Sequence, residues 1–161
     1  MNLIVERAPD IKWYSDLYPF VTALGAYADN FCWLCTGGEV FPSVREFPDG
    51  SYWLSAADLR EIIEPRYAFG WCVLSAIPLA DVSAAMTVDC YPYADCNPGF
   101  WIGSPKPQHP MADFEVVCWD SSATLLIGAS QTVAAAFLVA YPSAVDLDKL
   151  IEQHDRARQS T

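Results

Sequence analysis

The longest apolar stretch in this chain, Thr132 to Tyr141, is only ten residues. A bilayer crossing needs about 20, so no transmembrane segment is expected. Yet 53% of the residues are hydrophobic and only 18% are charged. That composition excludes a disordered tail and requires a large core assembled from many short elements. With 161 residues the chain is the size of one ordinary domain. A domain of this size buries roughly two-thirds of its unfolded surface and needs no staple to fold.

The punctuation of the chain supplies the elements. Ser15 to about Asp29 reads as a helix, with Ser15 as N-cap, Pro19 in the first turn, and Leu17, Phe20, Val21 and Leu24 on one apolar face. Phe31 to Thr36 reads as a strand. Gly37-Gly38 is a turn signal, after which Glu39-Val40-Phe41 pairs back. Ser55 and Asp58 have capping-box spacing, Leu54 and Leu59 form a hydrophobic staple, and Pro65 ends the helix. Tyr67 to Ile77 reads as one long buried strand.

The region 80–110 is the least regular. Met86 to Tyr91 and Phe100 to Ile102 have strand character, separated by a loop, and 104–110 is too proline-rich for helix or central strand. Long ordered loops are often functional. Phe114 to Trp119 and Thr124 to Gly128 form a hairpin. Ser130 caps a helix from Gln131 to about Ala140. Ser143 and Asp146 repeat the capping-box spacing before a last helix carrying Leu147, Leu150, Ile151 and His154, and the tail frays from about Arg156. Hairpins interleaved with helices predict a single α+β domain over 1–161, with a mixed, mainly antiparallel sheet and helices packed on one face. The alternative is a three-layer α/β arrangement.

The net charge is −11, which disfavours direct nucleic-acid binding. The charge is uneven. Between Tyr67 and Asp148 the only Lys or Arg is Lys106, against Asp81, Asp89, Asp95, Asp113, Glu115, Asp120, Asp146 and Asp148. Such a stretch suits a basic partner. The N-terminal residues lack a secretory pattern, so the expected compartment is the cytoplasm and the six Cys are expected to be reduced.

No complete catalytic or metal-binding constellation is legible. Cys32 and Cys35 form a Cys-x-x-Cys pair inside an apolar strand, where residues three apart point to opposite faces. Cys90 and Cys96 have a spacing outside the usual zinc range. The two His, His109 and His154, lack metal-type spacing. Neither metal nor cofactor is expected, and an enzyme is the less favoured class. An aromatic ligand pocket built from Tyr93, Trp101, His109 and Asp120 is the alternative.

The segment Trp33 to Val40, with its strand–Gly-Gly–Glu pattern, resembles one found in small uncharacterised bacterial proteins, and Asp113 to Ser122 is similar to a second segment of that group. The size, acidity and composition also resemble immunity proteins of bacterial polymorphic-toxin and contact-dependent inhibition systems. That resemblance implies a non-catalytic inhibitor docking on a basic toxin domain. The residues expected to form the docking face are Tyr91, Tyr93, Asp95, Phe100, Trp101, Asp113, Glu115 and Asp120. A self-interface formed by the aromatics is a third reading, and the oligomeric state is left open.

Overall fold

A computed structural model describes residues 1–6, 15–37, 40–41, 50–64 and 68–159. The expectations for Gly38, Glu39, Pro65, Tyr67 and the last two residues lie outside these.

The strands of the main sheet are β1 (Leu3–Glu6), β2 (Phe31–Thr36), β4 (Ser51–Leu54), β6 (Cys72–Pro78), β7 (Phe114–Trp119), β8 (Ala123–Ile127) and β9 (Val145–Asp146). They form one seven-stranded sheet in the order β4-β2-β6-β7-β8-β1-β9, and each described pairing is antiparallel. The fold is α+β. The short strands β3 (Val40–Phe41) and β5 (Ala68–Phe69) pair with each other, so Val40 and Phe41 do not pair back on β2; it is β4 that does so. The strand expected over Tyr67 to Ile77 is split at Gly70 and Trp71.

The helices are α1 (Tyr18–Leu24), α2 (Ala56–Ile63), α3 (Val82–Ala85), α4 (Gln131–Ala140) and α5 (Leu147–Gln159). The caps of α2 and α4 are those written in the sequence. Ser55 Oγ accepts the Asp58 N–H at 3.1 Å while Asp58 Oδ2 accepts the Ser55 N–H at 2.9 Å. Ser130 Oγ accepts the Val133 N–H. Each such cap contributes about 1 kcal/mol. The first helix is shorter than expected: it starts after Leu17 and tightens into a 3-10 turn over Gly25–Asn30. At α5 the cap is Asp146, whose Oδ1 accepts the Lys149 N–H at 3.0 Å. The helix runs to Gln159.

Strand alternation decides the layering. Along β6, β7 and β8 residues pointing either way are buried, so both faces of the sheet need cover. Cys72, Leu74, Ala76, Phe114, Val116 and Leu126 meet α1, α2 and α4 on one face. Ile4, Val73, Val117, Leu125 and Ile127 on the other meet Leu147 and Ile151 of α5, together with Ala94 and Phe100. The expectation of helices on one face therefore holds for α1, α2 and α4. The last helix crosses to the opposite side because apolar strand residues there need a partner.

Candidate functional site

The segment 79–113 joins β6 to β7 and covers the part of the second face that α5 leaves bare. It contains no strand. Met86 to Tyr91 follows the short helix α3 as turn and coil, and Pro98–Trp101 is a 3-10 turn capped by Asn97. The expected strands do not form; Ala94 and Phe100 of this segment pack on the face of the sheet instead.

Irregular backbone that is buried needs partners for its N–H and C=O groups, and here side chains supply them. Glu115 and Ser75 face each other across β7 and β6. Ser75 Oγ donates to Glu115 Oε1 at 2.8 Å. The same carboxylate accepts the backbone N–H groups of His109 at 2.9 Å and Gln108 at 2.8 Å. Burial pushes the Glu115 carboxyl above its ordinary value, outweighing these three donors. Gln108 in turn grips Tyr93: its Oε1 accepts the Tyr93 N–H and its Nε2 donates to the Tyr93 carbonyl at 3.0 Å. Asn97 Nδ2 donates to the same carbonyl. Asn2 holds the other end, donating to the Pro105 carbonyl at 2.9 Å and to Asp148 at 2.8 Å while accepting the Gly128 N–H. Gly128 has φ +74°, and an added Cβ would sit 2.6 Å from Pro107 Cγ, so the proline-rich loop can lie this close only over glycine.

A tryptophan cluster stands at one end of this face. Trp71 and Trp119 flank the paired residues Cys72 and Cys118, and their ring centroids are 5.0 Å apart. Trp101, carried over by the 3-10 turn, meets Trp119 edge-on at 5.2 Å, and Phe100 packs beneath. All three Trp are half-buried. Such edge-to-face pairs favour a rigid arrangement. Tyr91 reaches the same end of the sheet: its hydroxyl donates to the Gly50 carbonyl at 2.8 Å, and that carbonyl also accepts the Gly37 N–H. Asp120, exposed beside Trp119, has φ +49° in the hairpin turn.

The eight residues expected to face a partner separate accordingly. Tyr91 is 51% exposed and Tyr93 48%. Asp95, Asp113 and Asp120 are exposed and Trp101 is half-buried. Phe100 and Glu115, by contrast, are 2% and 0% exposed. They are corrections to the candidate set: Phe100 supports the tryptophans and Glu115 holds the loop, and neither offers a surface. Asp113 precedes the strand that Asp120 follows, so the two acids stand about 20 Å apart along β7 and do not form one cluster. Trp71 and Trp119 were missed. Their positions across a strand pair carry the signal, but it is legible only once the register is known.

His109 and Asp120 are not brought together. His109 is buried at the Glu115 end, with its ring against Trp53, about 17 Å of strand away from Asp120. Burial lowers the His109 pKa, with a backbone hydrogen bond at Ala85 acting the other way. Of the aromatic ligand pocket expected as the alternative, His109 and Asp120 therefore do not share a wall. An open groove does exist, but it lies between α1 and α2, lined by Tyr18, Val21, Thr22, Arg60, Ile63 and Glu64.

Cys32 and Cys35 diverge as the alternation requires. Cys32 Sγ lies 3.5 Å from the Leu54 carbonyl, whereas Cys35 Sγ lies 3.5 Å from Cys72 Sγ in the helix-covered core. Contact with Cys72 and burial hold the Cys35 thiol well above its ordinary range, which disfavours the reactive thiolate. Cys90 and Cys96 are both free thiols. Among the described residues no group of three or more His, Cys, Asp or Glu is arranged to hold a metal ion, and no helix is long and apolar enough to cross a membrane.

No protein-family model matches the chain, and neither a curated protein nor a solved structure matches it.

Proposed function

We propose that this chain is a protein-binding module that presents the Trp71–Trp101–Trp119 cluster, with Tyr91, Tyr93, Asp95 and Asp120, to a basic protein. Within that class we propose an immunity-type inhibitor, the partner being a toxin domain. One observation carries the reading. Three half-buried tryptophans share one end of the sheet with an exposed tyrosine, in a stretch where Lys106 is the only Lys or Arg between Tyr67 and Asp148. Aromatic anchors supply most of the energy of a typical interface, and one-signed charge around them speeds encounter with a partner of opposite sign. The segment 79–113 is also pinned in place before a partner arrives, so little ordering entropy is spent on binding.

The test is capture of a partner from the host at low ionic strength, its identification, and measurement of its Kd for variants. Trp101→Ala is expected to weaken binding by about 30-fold, the effect of losing one strong anchor. Asp95→Lys combined with Asp120→Lys is expected to slow association by about tenfold, an effect that fades at high salt. A captured partner that ignores both variants would refute the assigned face. A partner whose activity is unaffected by saturating wild-type protein would refute the inhibitor reading.

A further inference from the structure

We infer that the corner formed by Trp71, Trp101 and Trp119 is a binding site for an arginine side chain. The inference rests on the protein-binding reading above, in which that arginine is the partner's. Trp33 shows what a tryptophan does when it serves the fold alone. It is 0% exposed, and its indole N–H donates to the Ala28 carbonyl at 3.3 Å. The three clustered tryptophans differ on both counts. Each keeps part of its ring at the surface. Among the described residues their indole N–H groups have no hydrogen-bond partner, and their polar and ring contacts are with other aromatic rings. Trp71 and Trp101 meet Trp119 at 73° and 84°. Rings at such angles bound a corner, not a flat stack, and a group seated there meets more than one ring. Buried Phe100 packs against Trp119 at 89° and supports it.

Charge selects the guest. The face of an indole ring is negative, and it is the strongest aromatic partner for a cation. Asp120, which is exposed, directly follows Trp119 in the chain. Lys106 is the only Lys or Arg between Tyr67 and Asp148, and among the described residues no cation of the chain itself stacks on the three rings. The corner is thus electron-rich and flanked by an acid. Arginine fits it better than lysine does. A guanidinium is planar and weakly hydrated, and it stacks on a ring while its N–H groups reach a carboxylate. The indole N–H groups are donors only, which suits the backbone carbonyls on either side of an arginine in a protein segment. A nucleobase also stacks on indole rings, but its phosphate is repelled by a chain of net charge −11. A neutral ligand gains nothing from Asp120.

The test titrates the full chain with the tripeptide Gly-Arg-Gly, blocked at both ends, at constant ionic strength. A control peptide carries citrulline, a neutral analogue of the same shape, in place of arginine. Indole N–H signals are followed by nuclear magnetic resonance and assigned with Trp71→Phe, Trp101→Phe and Trp119→Phe. The arginine peptide is expected to shift these three signals saturably, with a Kd on the order of 1–10 mM for a single side chain. The citrulline peptide should bind at least about fivefold more weakly. Trp101→Leu keeps apolar bulk but removes a ring, and it should weaken the arginine peptide about fivefold. Asp120→Asn should weaken it about threefold. Asn tolerates the positive φ at this position, and circular dichroism checks that both variants stay folded. Equal binding of the two peptides would overturn the inference, as would shifts confined to other tryptophans or no saturation below about 50 mM. Saturable binding of maltotriose without binding of the arginine peptide would also overturn it and assign the corner to a carbohydrate. The two readings fail separately. A captured partner that needs Trp101, with equal binding of the two peptides, removes the arginine and leaves the protein-binding face. A partner that ignores Trp101→Ala, with selective binding of the arginine peptide, supports the arginine site and refutes its use by that partner.

Discussion

The two faces of the sheet are buried by different physics. On one, α1, α2 and α4 close over an aromatic lattice. Phe31, Trp33 and Phe114 contact one another edge-on, as do Phe20, Phe137 and Tyr141 in sequence. A helix satisfies its own backbone, so this face needs little from side-chain hydrogen bonds. On the other face the cover is α5 plus the irregular segment 79–113. An irregular segment brings unpaired N–H and C=O groups with it, and Glu115, Gln108, Asn97 and Asn2 supply their partners. The contrast teaches that irregular cover can be as ordered as helical cover, but only where polar side chains are buried to hold it.

The largest effect is expected on the helix-covered face. Phe137→Ala removes a ring that touches both Phe20 and Tyr141 and should cost about 3–5 kcal/mol in urea unfolding. Because that loss is global, hydrogen exchange should rise across the whole sheet. Glu115→Ala removes the acceptor of two backbone N–H groups and one hydroxyl and should cost about 2–4 kcal/mol. Here hydrogen exchange should rise first in 79–113, with the residues of α4 still protected. If both variants loosened the same amides to the same extent, the distinction between the faces would not hold.

The pH dependence sharpens it further. Burial raises the Glu115 carboxyl above 4.5. A carboxyl raised in the folded state holds its proton more tightly there than when unfolded. Its contribution to stability is thus full below the unfolded value and lost as pH rises through the folded one. His109 runs the opposite way. Burial holds it below 6.5, so its contribution is full above 6.5 and lost as pH falls through the folded value. Glu115→Gln deletes only the first slope. The stability of the wild type relative to this variant should therefore increase as pH is lowered from 7 toward 4.5. A difference that is flat with pH would show that Glu115 does not titrate differently in the fold.

The smallest expected effect is at the tryptophan end. Asp120 has φ +49°, a left-handed conformation that costs an ordinary residue about 1–2 kcal/mol and an Asp less. Asp120→Gly should change stability by no more than about 1 kcal/mol, upward, in thermal unfolding. The same change should slow association with a basic partner, because it removes a charge beside Trp119.

Much of the architecture was legible beforehand. The capping box at Ser55 and Asp58, the Ser130 cap, strand Phe31 to Thr36 and the hairpin after Trp119 are in place. The errors share a cause. Met86, Val88 and Cys90 alternate with polar residues like a strand, but a strand exists only where a partner pairs with it, and here none does. Leu3–Glu6 and Ser51–Leu54 are strands with few local markers; each is fixed by partners far along the chain, β8 and β2. Glu115 reads as one more acid in an acidic stretch. Nothing near it in sequence says that Gln108 and His109 fold back to bury it.

What local signals settled in advance are the caps at Ser55 and Ser130, the hairpin turn after Trp119 and the lopsided charge. Each of these is settled within a few residues, or by simple counting. Which strand positions are covered, and by what, depends on contacts far along the chain. The tertiary structure put Glu115 of β7 inside and Asp120 in the turn after it outside, and it gathered Trp71, Trp101 and Trp119 at one end of the sheet. The physical reason is that burial depends on what lies across the gap. Across that gap lie 79–113 and α5, whose positions are fixed by long-range hydrogen bonds and packing, not by propensity.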